Sequence, residues 1–123
     1  MSCRVYRDGK ILRLDLEGVV TNDELAGMVR ASHQFEFSEA TVPHRIIDLT
    51  HCTELQLQEA AVQTLAKLRK AMKFPNRFKS AIVVTKPEHT AFVRMFASLN
   101  DHPQITIRIF PTLPEAQAWI AKT

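Results

Sequence analysis

Glycine is scarce in this chain: Gly9, Gly18 and Gly27 are the only three in 123 residues. A phosphate cradle needs glycine so that backbone can approach the anion. Neither G-x-G-x-x-G nor G-x-x-x-x-G-K-[ST] occurs, so the usual dinucleotide and nucleoside triphosphate motifs are absent. Cysteine is as rare. Cys3 and Cys52 make no disulfide framework in a chain with room for a full core. They read as reduced thiols of a cytoplasmic protein. There is no C-x-x-C and no H-E-x-x-H. His51 and Cys52 are neighbours, and neighbours on an extended segment point to opposite faces. A buried thiol beside a surface imidazole is the better reading, with no metal and no cofactor. No G-x-S-x-G elbow marks a serine hydrolase. No apolar run approaches the roughly 18 residues of a membrane span, and none follows Met1-Ser2-Cys3-Arg4-Val5 as a targeting segment.

What is present is ordinary for a globular domain: 46% hydrophobic and 24% charged residues. The length suits one domain over residues 1–123, with a radius of gyration of roughly 14 Å. Lys plus Arg exceed Asp plus Glu by 16 to 13, a net +3. The densest basic stretch is Lys67, Arg69, Lys70, Lys73, Arg77 and Lys79. It falls late on a predicted helix, where cations complement the negative helix end. No aromatic stacking set accompanies it, so no nucleic-acid partner is expected.

Periodicity organises the rest. Cys3 to Tyr6 is a short strand, and Asp8-Gly9 is a hairpin turn signal. In Ile11 to Glu17, Leu12, Leu14 and Leu16 share one face, with Arg13, Asp15 and Glu17 on the other. That is the period of a half-buried strand, which Gly18 ends. Thr21 to Glu24 is a capping box, followed by the stripe Leu25, Met28 and Val29. This helix should end near His33, with Gln34 to Pro43 a loop. His44 to Leu49 is a strand.

A second box, Thr53 to Gln56, opens the helical stripe Leu57, Ala61, Leu65, Leu68 and Met72. Pro75-Asn76 closes that region. Ser80 to Val84 is nearly all apolar, as in a strand covered on both faces. Thr85 and Glu88 form a third box, with Pro87 tolerated in the first turn. Its stripe is Phe92, Met95, Phe96 and Leu99. After a break at Asn100 to Pro103, Ile105, Ile107 and Ile109 alternate with Thr106 and Arg108. Thr112 and Glu115 make a fourth box, before a short helix bearing Leu113, Ala116, Trp119 and Ile120. The order β-β-α-β-α-β-α-β-α predicts an α/β fold: a mixed, mainly parallel sheet of about five strands with four helices. Only the first hairpin need be antiparallel.

In open α/β sheets, ligands sit outside the C-terminal ends of strands, where helix N-termini also gather. The tentative ligand-binding residues there are Asp48, Thr50, His51, Thr85 and Lys86. Thr53, Thr85 and Thr112 already serve as predicted caps, and Asp48 as a turn acceptor. Phe35, Phe37, Phe74 and Phe78 lie at element ends. They cap the core or line an apolar groove, and Phe78 joins the candidate set on the second reading. An enzyme using Asp48 and His51 ranks well below a binding protein.

The element order and several segments resemble the SpoIIAA-like family of the STAS superfamily, often grouped with CRAL-TRIO lipid-binding domains. The carrying segments are Leu16-Glu17-Gly18 leading to Thr21, Glu24 and Leu25, then His44 to Leu49. Phe78 to Val84 follows, and then the ending from Ile109-Phe110 to Glu115-Ala116 and Ala118-Trp119-Ile120. The resemblance implies a STAS-like domain with a non-enzymatic role, through a protein partner or a homodimer. In anti-sigma-antagonist relatives a partner kinase phosphorylates a serine in a D-S-S-G-like motif. Laid along this chain, that motif falls near Gln56-Leu57-Gln58-Glu59, where no serine or threonine stands. The phospho-switch therefore does not carry over. The CRAL-TRIO side implies the alternative: a carrier or sensor of a small apolar or anionic ligand.

Overall fold

The computed structural model describes residues 3–122. In chain order its elements are β1 (Cys3–Asp8), β2 (Ile11–Leu16), β3 (Gly18–Thr21), α1 (Asn22–Phe37), β4 (Arg45–Asp48) and β5 (Cys52–Gln56). Then come α2 (Glu59–Lys70), β6 (Phe78–Val83), α3 (Pro87–Leu99), β7 (Ile105–Phe110) and α4 (Leu113–Ala121). The main sheet has the order β1-β2-β4-β6-β7. Only β1 runs antiparallel; β2, β4, β6 and β7 are parallel neighbours. Asp8 pairs with Ile11, so the hairpin loop is Gly9-Lys10, one residue later than the Asp8-Gly9 signal. Gly9 takes φ 62°, a conformation an L side chain resists.

Alternation along the strands sorts the core. Leu12, Leu14, Leu16, Ile47, Leu49, Ile82 and Val84 face α1, α2 and α3, meeting Leu25, Met28, Val62 and Val93. Ile46, Ala81 and Val83 face the other way, against Ala116 and Ile120 of α4. Ser80 to Val84 is buried throughout, as a doubly covered strand must be. The stripes predicted for α3 and α4 also pack on the core.

Four local expectations are corrected. First, α1 does not stop near His33 but runs to Phe37. Its inward positions continue at helical spacing from Met28 to Ser32 and Glu36, which are polar and so hid the period. Second, Thr53 caps nothing. Cys52–Gln56 is a strand, paired parallel with β3, and the N-cap of α2 is Gln58. The two strands of this second sheet follow β2 and β4 in the chain. Third, Thr85 is exposed, and Lys86 is the N-cap of α3 with no side-chain cap bond. Pro87 disfavours helical backbone at the residue before it, and Lys86 is extended at φ −90°, ψ 127°. Fourth, α2 is rotated from its predicted face. Val62, Ala66 and Arg69 are buried, while Leu68 is 59% exposed. Thr21 and Thr112 do cap α1 and α4, each accepting from the backbone N–H three residues on.

Candidate functional site

The C-terminal ends of the parallel strands share one edge, and the structure fills much of it with the protein's own contacts. Asp48 ends β4 and is buried. Its Oδ1 accepts from the Thr50 N–H at 2.9 Å and the Thr50 hydroxyl at 2.5 Å. Its Oδ2 accepts from Arg13 Nη2 at 3.2 Å. His51 is exposed, and its carbonyl accepts from the Gly18 N–H at 2.9 Å. Lys86 reaches over this edge and donates from Nζ to the Cys52 carbonyl at 2.6 Å, tying α3 to β5. Phe78 stands apart. It begins β6, at the opposite end of the sheet, and is 2% exposed with its ring edge-on to Phe74. The structure thus gathers Asp48, Thr50, His51 and Lys86 at one edge, with Thr85 exposed just before Lys86, and leaves Phe78 in the core.

A cluster absent from the sequence-based candidates lies next to Asp48. The outward face of β2, read as solvated, is closed. Arg13 and Asp15 are 8% and 9% exposed. Asp15 and Asp48 are direct cross-strand partners, an unfavourable pairing of like charges. Arg13 Nη2 lies between them, 3.0 Å from Asp15 and 3.2 Å from Asp48. The Tyr6 hydroxyl donates to Asp15 at 2.7 Å. That bond raises the Tyr6 pKa, with burial and the Asp15 charge adding and Arg13 and Arg4 opposing. The alternating signs of Arg13 and Asp15 were visible in sequence, but the Asp48 partner lies in another strand.

A second buried cluster joins α1, α2 and β4. Arg69 grips Glu36 with two bonds of 2.7 and 2.6 Å. Arg45 Nη1 lies 3.8 Å from the same carboxylate, and its Nε donates to Ser80 Oγ at 2.9 Å. The Arg69 guanidinium also stacks over Phe74 at 5.0 Å. The basic stretch seen in sequence is therefore divided. Arg69 is internal, and Lys79 bonds the Trp119 carbonyl at 2.9 Å and that of Lys122.

Burial pushes the Cys3 thiol up to about 11, helped by the charges of Glu24 and Cys52, and burial raises Cys52 as well. Both thiols are free. A groove of about 660 Å³ opens between β1 and α1, lined by Cys3, Val5, Tyr6, Met28 and Ala31 among others. Among the described residues, no helix is long and apolar enough to cross a membrane.

No family model and no curated protein matches the chain. Solved structures do. One is an uncharacterised DUF3478-family protein with a SpoIIAA-like fold from Shewanella loihica PV-4. It is 15% identical, covering 97% of this chain and 92% of its own, with a TM-score of 0.61. The fold is SpoIIAA-like. A second match is an anti-sigma factor antagonist from Mycobacterium paratuberculosis. It is 14% identical over 96% of this chain and 92% of its own, with a TM-score of 0.59. The segment to which the sequence resemblance assigned the acceptor motif, Gln56 to Glu59, runs from the end of β5 to the start of α2. There Gln58 donates its backbone N–H to Asn22 Oδ1 at 3.0 Å.

Proposed function

We propose that this chain is a non-enzymatic, cytoplasmic STAS-like regulatory module that works by contact with a protein, a partner or a second copy of itself. The carrying observation is the outer face of α2. Leu68 is 59% exposed there. Ala60, Thr64 and Ala71 are exposed on the same helical stripe. Beside the exposed Lys67, these small side chains leave Leu68 accessible on an otherwise flat helix face, where a partner could cover it. The shared fold with an anti-sigma factor antagonist supports the same reading. The test is sedimentation over a wide concentration range, beside affinity capture from native lysate. The wild-type chain is expected to self-associate or retain a protein, and Leu68→Glu to weaken that association at least about tenfold. A monomer that captures nothing sinks the reading.

The groove between β1 and α1 favours a second reading, a carrier or sensor of a small apolar or anionic ligand. Its volume, about 660 Å³, falls in the range of small-molecule sites. Asp48, Thr50, His51, Thr85 and Lys86 do not line this groove; the strand edge that carries them is the other place proposed for such a ligand, and Phe78, buried in the core, would act on it only through packing. Native mass spectrometry of gently purified protein would show a mass excess lost on denaturation. Ala31→Trp, which fills the groove, should reduce it if the ligand sits there, and Lys86→Ala if it sits at the strand edge; a bare chain mass counts against this reading.

A further inference from the structure

A small cavity of about 30 Å³ lies where α1, α2 and β4 meet. Its polar wall is made by Ser32, His33, Arg45, Arg69 and Asn100, and the remainder is apolar. Three features of that wall point to a missing negative charge. The first is the charge count. Arg69 takes both oxygens of Glu36, and Arg45 approaches that carboxylate only to 3.8 Å. Two guanidiniums thus face one carboxylate, and Arg45, Arg69 and Glu36 are 6%, 5% and 1% exposed. A net positive charge in such a place is unfavourable unless something compensates it. The second is the set of orphaned polar atoms. Ser32 Oγ, Arg69 Nε and His33 Nε2 are buried without a hydrogen-bond partner. The third is size. The space accommodates about one water or one monatomic ion, and a tetrahedral oxyanion is larger.

We propose that this cavity binds one monovalent anion of chloride size, held by Arg45, Arg69 and Ser32. A water molecule would satisfy the orphaned donors but leave the charge. A halide accepts from several donors at once, cancels the excess charge, and is weakly enough hydrated to tolerate the apolar wall. Burial first, and then Arg69, push the Arg45 pKa down to about 9, with Glu36 opposing. The bound ion would fasten α1 and α2 to the middle of the sheet.

The test is thermal unfolding of the full chain in sodium chloride against sodium gluconate at equal ionic strength, gluconate being too large for the cavity. Chloride should raise Tm by about 5 °C at tenfold excess over its Kd. Ser32→Ala should fold and shift that dependence to higher chloride. A crystal soaked in sodium bromide should show anomalous scattering between Arg45, Arg69 and Ser32. Because Arg45→Met could fail to fold, the bromide position in the wild-type protein decides. Equal Tm in both salts overturns the proposal. So does a chloride effect without bromide at this place, since the ion then binds elsewhere.

Discussion

Glu36 neutralises buried guanidinium charge from one position on α1, and no other carboxylate reaches Arg69 or Arg45 among the described residues. Glu36→Gln keeps the shape and removes the charge. It should cost about 3–5 kcal/mol, the penalty for breaking a buried pair from one side. Urea unfolding at neutral pH measures this, and a loss below about 1 kcal/mol would show that the guanidiniums find other partners. His44 gives a pH dependence of defined sign. Its Nδ1 accepts the Lys79 N–H at 2.8 Å, and burial, then the Lys79 charge, lower its pKa below 6.5. The unfolded chain therefore takes up a proton that the folded chain refuses. Stability present above pH 6.5 is lost as pH falls through the lowered folded value. His33 is shifted in the same direction, chiefly by burial. His44→Asn can accept the same bond without titrating, so it should flatten part of the decline as pH falls below about 6.5. An unchanged slope removes His44 from the account. At this scale the sequence named Asp48 and the Thr50 beside it. It could not name Arg13 as the partner of Asp48, because the two are 35 residues apart.

Gly18 sits where β2 gives way to β3, at φ 66°, with no atom within 4 Å of where a Cβ would stand. The cost of Gly18→Ala is therefore backbone strain without a clash, about 1–2 kcal/mol. A shift in urea midpoint at constant m value would show it, and a neutral result would mean that the β3–β5 pair rearranges. Elements announced by their own neighbours were legible. The alternating leucines of β2, the isoleucines of β7 and the caps at Thr21 and Thr112 needed no distant information. The Thr53 box misled because a threonine followed by a glutamine is a local signal. The β3–β5 ladder that overrides it pairs Gly18 with Cys52. Leu68 misled for a related reason. Its spacing fits one helix face, but Arg69 is drawn inward by Glu36 and sets the rotation of α2.

Across the whole molecule, the two faces of β4 and β6 supply different cores. Ile47 and Ile82 serve the three-helix side, and Ile46, Ala81 and Val83 serve α4. Neither layer can leave without exposing the central strands. We propose that residues 1–123 form one domain, unfolding in a single cooperative transition with calorimetric and van't Hoff enthalpies equal. Two resolved transitions would divide the chain and reject this.

The class of fold, the number of helices and the parallel bias of the main sheet followed from periodicity and element order, because side-chain period is a property of residues adjacent in the chain. The strand order, the closing of the polar face of β2, the β3–β5 pair and the buried charges were decided only on folding. They rest on pairings such as Arg69 with Glu36, 33 residues apart. The energy of such a pairing comes from desolvation and direct contact, which exist only once the layers have closed.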